Sequence, residues 1–287
     1  MRVFVRSSSA IRFCLAGMLV LFASAPGWTD TPKRVVSINV CTDQLAMLLA
    51  DETQLFSVSH LATDPRVSAM SDDAEAYEIN YGRAEEVFLM EPDLVVAGAY
   101  AARATIEMLQ RFGIPVEVFT PVTGVDDVPS KLTQMGAALG REEKAAALIR
   151  DFNGQLEALR AEVKAKPDAA LYSANGYTTG DQTLAGQILA AAGFSNVAVD
   201  AGISSGGLLP LEVLVMSDPD VIVTGQKYPG ASRSEAILAH PALTAMTKGV
   251  ASGSITNRDW VCGTPFVLRA IEALAVVRRE LEKSDGD

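Results

Sequence analysis

From residue 34 onward the apolar positions alternate between short continuous runs and stretches with helical spacing. Residues 34–40 (RVVSINV) read as a buried strand, Cys41-Thr42-Asp43 as a turn in which Thr42 or Asp43 caps a helix, and 44–50 as that helix. Residues 54–59 read as a second strand ending at His60, and 61–80 as an irregular polar stretch. A helix over 104–112 leads through Gly113-Ile114-Pro115 to a strand over 116–120. Between 126 and 166 the strand pattern stops. Residues 128–139 and 142–165 give two helical stretches, the second with apolar positions at Ala146, Ile149, Phe152, Leu156, Leu159 and Val163. The plan then resumes with a strand over 169–173, a loop over 175–180, a helix over 183–192 closed by Gly193, and a glycine loop over 202–207. A turn at His240-Pro241, a strand over 254–256 and a helix over 266–283 complete the chain.

Two segments repeat one design. Residues 85–98 (EEVFLMEPDLVVAG) and 212–225 (EVLVMSDPDVIVTG) each place a glutamate seven residues before a Pro-Asp pair, fill the gap with a helical turn, and run on through apolar residues to a glycine. Proline stops the helix, and the β-branched run after it suits a strand buried on both faces. Each copy is therefore helix, turn, strand. A period of well over a hundred residues is too long for a solenoid and fits two lobes of one protein. The fold expected is α/β, with two Rossmann-like lobes whose parallel sheets are joined by a single long α-helix. Its parts are a signal peptide over 1–30, an N-terminal α/β lobe over 31–125, a helical linker over 126–166 and a C-terminal α/β lobe over 167–287.

Composition narrows the class. At 287 residues, 49% hydrophobic and 21% charged, the chain can bury one large core or two ordinary ones. Arg2, Arg6 and Arg12 precede an apolar stretch over 13–22 and the small residues Ala23, Ser24 and Ala25, the layout of a secretory signal peptide cleaved between about residues 25 and 30. Without residues 1–30 the chain carries 21 basic against 34 acidic side chains, a net charge of about −13. That excludes nucleic acid as a partner. Cys41 and Cys262 survive export; a disulfide tying the halves, two free thiols and soft metal ligands all fit the sequence.

Ligands of open parallel sheets bind beyond the carboxyl ends of the strands. The residues expected there are Asn39, Cys41, His60, Tyr77, Tyr81, Tyr100 and Arg103 from the first half, with Asn175, Tyr177, Tyr228, Arg258, Asp259 and Trp260 from the second. Five of the six tyrosines lie in these loops, which suits a large, flat or amphipathic ligand. Enzyme signatures are weak. Gly202-Ile203-Ser204-Ser205-Gly206 matches G-x-S-x-G, but a nucleophile elbow needs a strand before it and a helix after it, and here Gly207-Leu208-Leu209-Pro210 follows. His60 and His240 are the only histidines, so neither a zinc site of several histidines nor a resident cofactor is expected.

The opening RVVSINVCTDQLAMLLAD, the paired EEVFLMEPDLVVAG and EVLVMSDPDVIVTG, then GDQTLAGQILAAAGFSNVA and AHPAL before a last strand and helix, resemble periplasmic binding proteins of the iron-siderophore and cobalamin class. These serve ABC importers, and the resemblance covers the mature chain. It implies a backbone helix over about 141–164, a ligand held between lobes that close only modestly, and no catalysis. It also implies that Glu85 and Glu212, one per lobe, dock onto arginines of an inner-membrane permease, with Glu86 a competitor for the first position. The arginine and tyrosine supply suits a ferric siderophore or related iron complex. Asp259-Trp260 resembles the cobalamin-binding members, and a tyrosine or His60 suits haem iron, but few tryptophans set this chain apart from cobalamin binders. The expected role is that of a monomeric receptor for a metal chelate, with cobalamin, another corrinoid or haem as the second choice. An exported serine hydrolase using Ser204 is the rival from another class, and a free-metal receptor lacks histidines.

Overall fold

Val35, Val36 and Ser37 are wholly buried because they form a strand with a parallel neighbour on each side. The computed structural model describes residues 31–101, 103–225, 233–247, 251–255 and 257–284; the stretch expected to be a signal peptide lies outside them. The first half runs β1 (Val35–Ser37), α1 (Val40–Leu49), β2 (Leu55–Ser59), α2 (Ser71–Ala74), β3 (Glu78–Asn80), α3 (Ala84–Leu89), β4 (Leu94–Gly98), α4 (Arg103–Arg111) and β5 (Val116–Phe119). Its strands form one parallel sheet in the order β3-β2-β1-β4-β5. Two helices follow, α5 (Val128–Leu139) and α6 (Glu142–Ala161). The second half runs β6 (Asp168–Leu171), β7 (Tyr177–Thr179), α7 (Leu184–Ala191), β8 (Ser195–Asn196), α8 (Val197–Asp200), β9 (Gly206–Leu208), α9 (Leu211–Ser217), β10 (Val221–Gly225), α10 (Pro241–Thr247), β11 (Ala251–Ile255), α11 (Asn257–Trp260) and α12 (Val267–Ser284). Its parallel sheet has the order β11-β10-β6-β8, and β7 pairs with β9 in a separate antiparallel ribbon.

The repeat is visible in the pairing. Read from the other edge, β8-β6-β10-β11 matches β2-β1-β4-β5, so β4 and β10 hold the same place beside the first strand of their lobes. Each is five residues long and ends at glycine. The aspartates of the two Pro-Asp pairs do the same thing. Asp93 accepts hydrogen bonds from the Lys33 and Arg34 N–H groups at 2.7 and 2.9 Å, and Asp220 accepts one from the Asp168 N–H at 2.8 Å. These carboxylates satisfy backbone donors that the start of β1 or β6 would leave open. Glu91 and Asp218, each just before its proline, share a left-handed backbone at φ 49° and 43°. The residue before proline is kept out of the right-handed helical region, so the bend falls at the same point twice.

α6 has 20 residues, about 30 Å. Gly140 in left-handed conformation ends α5 and lets the chain reverse into it. The largest core cluster runs from Val35, Leu45 and Leu49 through Leu132, Met135, Phe152 and Leu156 to Leu171, Ile188 and Ile271. The lobes thus share one packed interior through α5 and α6, and interiors packed at native density resist shear.

The boundaries differ from the expected ones in several places. β1 stops at Ser37 and α1 begins at Val40, because Asn39, rather than Thr42 or Asp43, caps the helix: its side chain accepts from the Cys41 N–H at 3.0 Å. Thr42 and Asp43 lie buried inside the helix. The stretch over 61–80, expected to be irregular, contains α2 and the edge strand β3, whose Glu-Ile-Asn sequence has a single apolar residue. The loops over 175–180 and 202–207 each contribute a strand to the β7–β9 ribbon. α6 ends at Ala161, and β11 begins three residues before the expected start.

Candidate functional site

Three strand ends in the first lobe open onto a cavity of about 270 Å³. Asn39 follows β1, Ala99 and Tyr100 follow β4, and Thr120, Pro121 and Val122 follow β5; Lys131 of α5 and Cys41 of α1 complete that wall. Val261 and Gly263, from the loop between α11 and α12, close it from the second lobe. Much of the lining is apolar, and Lys131 directs its Nζ to the Thr120 hydroxyl at 2.8 Å. The volume lies just below the few hundred Å³ of pockets that enclose a drug-sized molecule, so the cavity accepts one arm of a large ligand.

A disulfide crosses the site. Cys41, in the first turn of α1, is bonded to Cys262, with Cα atoms 5.1 Å apart and 221 residues between them in sequence. Of the three states open in the sequence, the structure takes the one that ties the lobes. Cys41 therefore lines the cavity as half of a disulfide, not as a thiolate ligand. Beside it Gly263 lies so close to Val122 that a Cβ would overlap the valine side chain at its own Cβ. Gly263→Ala is expected to push the loop off the first lobe and cost about 1–3 kcal/mol in chemical denaturation, the usual range for overpacking. An unchanged unfolding midpoint would show that this contact yields freely.

The other expected site residues fall into separate groups. His60, in the turn after β2, stacks on Tyr81, just after β3, with ring centroids 5.0 Å apart and planes 23° from parallel; the Arg83 guanidinium lies 5.9 Å from the Tyr81 ring. Both stacked residues are exposed. Tyr77 packs its ring against the main core, and burial, with help from Asp73, pushes its hydroxyl pKa up. Arg103 is exposed at the start of α4 and faces Glu107 at 3.4 Å. Asn175 occupies a left-handed turn before β7, and the Tyr177 ring fills the space over Gly206. Asp259 sits between Arg258 and Arg269 at 4.0 and 3.9 Å, while Trp260 is half-buried against the core. Tyr228 lies outside the described residues. Sequence reasoning missed Phe119, Pro121, Val122, Lys131 and Gly263 as cavity walls. The strand-end rule that selected Asn39 and Tyr100 also points to 120–122, whereas nothing in the sequence marks Lys131.

Glu85 and Glu86 have different surroundings. Glu86 turns back and accepts a hydrogen bond from the Tyr81 N–H at 2.9 Å, fixing the approach to α3, whereas Glu85 is exposed. Glu212 is exposed at the same place on α9. The G-x-S-x-G string follows α8 and runs into the first residue of β9, so it is not a turn from a strand into a helix, and the Ser204 carbonyl accepts from the Gln182 N–H at 2.8 Å. Among the described residues no group of three or more histidines, cysteines or acids is arranged to hold a metal ion, and no helix is long and apolar enough to cross a membrane.

The sequence profile of a family described as periplasmic binding protein matches residues 35–256. A cobalamin-binding protein of Halobacterium salinarum is 29% identical over 230 residues, which cover 78% of this chain but only 62% of the archaeal protein. A ferric enterobactin-binding periplasmic protein of Escherichia coli is 30% identical over 196 residues, 61% of this chain and 60% of its own length. In three dimensions the chain is similar to a periplasmic heme-binding protein of Vibrio cholerae, with a TM-score of 0.70, 21% identity and coverage of 85% of this chain and 98% of the other.

Proposed function

The chain belongs to the periplasmic binding protein family, and from that premise we propose that it captures a metal chelate between its two lobes and delivers it to an ABC importer. The observation that carries this reading is the cavity at the ends of β1, β4 and β5, closed from the second lobe by Val261 and Gly263. No covalent step is part of the role. In this reading residues 1–30 direct export and are removed, and the mature receptor works in the periplasm as a monomer. Glu85 and Glu212, exposed at matching places, dock on cationic groups of the permease, where paired charges fix orientation.

Ferric siderophores or related iron complexes suit the cationic and aromatic side chains best, in line with the enterobactin-binding relative. A specific observation favours a second ligand. The stacked pair of His60 and Tyr81 puts an imidazole and a phenol side by side on an exposed surface, and both are donors to haem iron. Corrinoids remain in the set through the cobalamin-binding relative.

Trp260 is the mature chain's one tryptophan in this reading and directly precedes Val261 of the cavity wall, which makes its fluorescence a probe next to the site. Titration with ferric siderophores, haem and cobalamin is expected to give saturable quenching at micromolar concentration or below with one class, about −8 kcal/mol or better. Selective loss on His60→Ala and Tyr81→Phe points to haem. A folded protein that answers none of them, yet hydrolyses esters in a Ser204-dependent way, overturns the reading.

A further inference from the structure

α3 and α9 lead into β4 and β10, the strands that hold equivalent places in the two sheets. Each helix buries one apolar residue completely, Val87 in the first lobe and Leu214 in the second. Three and four positions after the exposed glutamate, each also carries an apolar pair that faces water: Phe88-Leu89 after Glu85, and Val215-Met216 after Glu212. Leu89 is 79% exposed and Met216 85%. Residues at these spacings share a helix face, so on both lobes a carboxylate and an apolar pair form one patch. In the first lobe Phe112 widens the patch, its ring 4.8 Å from that of Phe88. A single exposed leucine needs no explanation, but the same exposed pair at the same offset from the same acid, on two lobes, has none in the folding of either.

We propose that, in the docking already given to Glu85 and Glu212, the apolar pairs Phe88-Leu89 and Val215-Met216 supply most of the affinity for the membrane-embedded subunits of the importer, and the two glutamates the orientation. The proposal rests on the docking role given above to the two glutamates and adds where the binding energy resides. Each patch calls for a cation next to an apolar recess, presented twice. A second copy of this chain does not offer that: without residues 1–30 its net charge is about −13, and it would bring acid towards acid. At interfaces, truncating a few desolvated apolar anchors has the largest cost, while rim charges act mainly on encounter and register.

The test uses the mature receptor with its ABC importer in proteoliposomes, and reads the receptor concentration that half-maximally stimulates ATP hydrolysis. Leu89→Ser with Met216→Ser is expected to raise that concentration about tenfold or more, with ligand affinity and melting temperature unchanged. Glu85→Ala with Glu212→Ala is the parallel variant. If the serine pair stimulates as the wild type does while the alanine pair fails, the apolar anchors are overturned and the docking role of the glutamates stands. If both pairs stimulate normally, that docking role fails, and this proposal with it. A serine pair that converts a sedimenting dimer to monomer while stimulation is unaltered shows that the faces join copies of the chain, which also overturns it. Should the serine pair misfold by circular dichroism, Leu89→Gln with Met216→Gln decides by the same readout.

Discussion

Replacing Cys41 and Cys262 together by serine is expected to lower the melting temperature by roughly 10 °C and to loosen the ligand cleft. The closed loop spans 221 residues. On the loop-entropy account a link that long stabilises by about 5 kcal/mol at most, and native disulfides commonly give ~2–4. For a chain of this size each kcal/mol moves the melting temperature by about 2–4 °C. The functional consequence follows from the position of the bond. A disulfide holds its Cα atoms within about 4.4–6.8 Å, so α1 of the first lobe and the α11–α12 loop of the second cannot separate there. With the cavity beside this point, opening must pivot about it. Calorimetry of the wild type with and without reductant, and of the double variant, should give the same drop. Ligand dissociation should quicken and small-angle scattering should show a larger radius of gyration in both. Two thiols titrating in the oxidised native protein, with no thermal shift, would sink the idea.

The repeat is legible in the sequence because its determinants are local. The glutamate, the proline and the apolar run sit within fourteen residues, and each acts on its own helix or strand. Within the Pro-Asp pair the proline's effect is readable, but the aspartate's is not, since Asp93 serves Lys33 and Arg34 some sixty residues away and Asp220 serves Asp168. The same limit explains other differences. β3 escapes notice because an edge strand of Glu-Ile-Asn takes its order from β2, not from its own residues. β9 looks like a loop because Gly-Gly-Leu has little strand preference, and β7 is too short to stand out although Tyr-Thr-Thr favours strands; the pairing across about thirty residues makes the ribbon. The expected helix cap lies three or four residues beyond the real one because serine, threonine, aspartate and asparagine all cap well; only the structure shows Thr42 and Asp43 committed to the interior.

The candidate site is legible in kind and incomplete in membership. Strand-end reasoning selects Asn39, Cys41 and Tyr100, all of which line the cavity, together with residues that the described structure groups elsewhere. Lys131 arrives from a helix in the linker, and Gly263 from a loop that reaches its place through the disulfide. Neither position follows from the local pattern, because each depends on how the lobes pack through α5 and α6. The pairing of Cys41 with Cys262 is the extreme case. Two cysteines in a chain expected to be exported are compatible with a bond, and only the folded arrangement brings them together.

Stability is expected to fall by about 3 kcal/mol between pH 4 and pH 7 through Asp43 alone. Its carboxyl group is completely buried, and the loss of water around the charged form pushes its pKa from 3.8 to about 6, against smaller downward pulls from Ser37 and Ser59. In the unfolded chain the group releases its proton near the ordinary value. Between the two values the native state keeps a proton that the unfolded state has lost, so the stabilisation is complete below pH 4 and disappears as pH rises through 6. A shift of about two units corresponds to roughly 3 kcal/mol. Asp43→Asn keeps an acceptor for the Ser59 N–H, which reaches Oδ1 at 3.1 Å, but cannot titrate. The difference in stability between variant and wild type should therefore change by about 3 kcal/mol in the variant's favour from pH 4 to pH 7. Comparing the two also cancels Asp64, whose pKa Arg66 holds down to about 2 and which acts in the opposite sense in acid. Asp43 also ties α1, which carries Cys41, to Ser59, the residue before His60. Urea titrations at half-unit pH intervals would measure the change in stability, and parallel profiles for the two proteins would mean that Asp43 is ionised throughout.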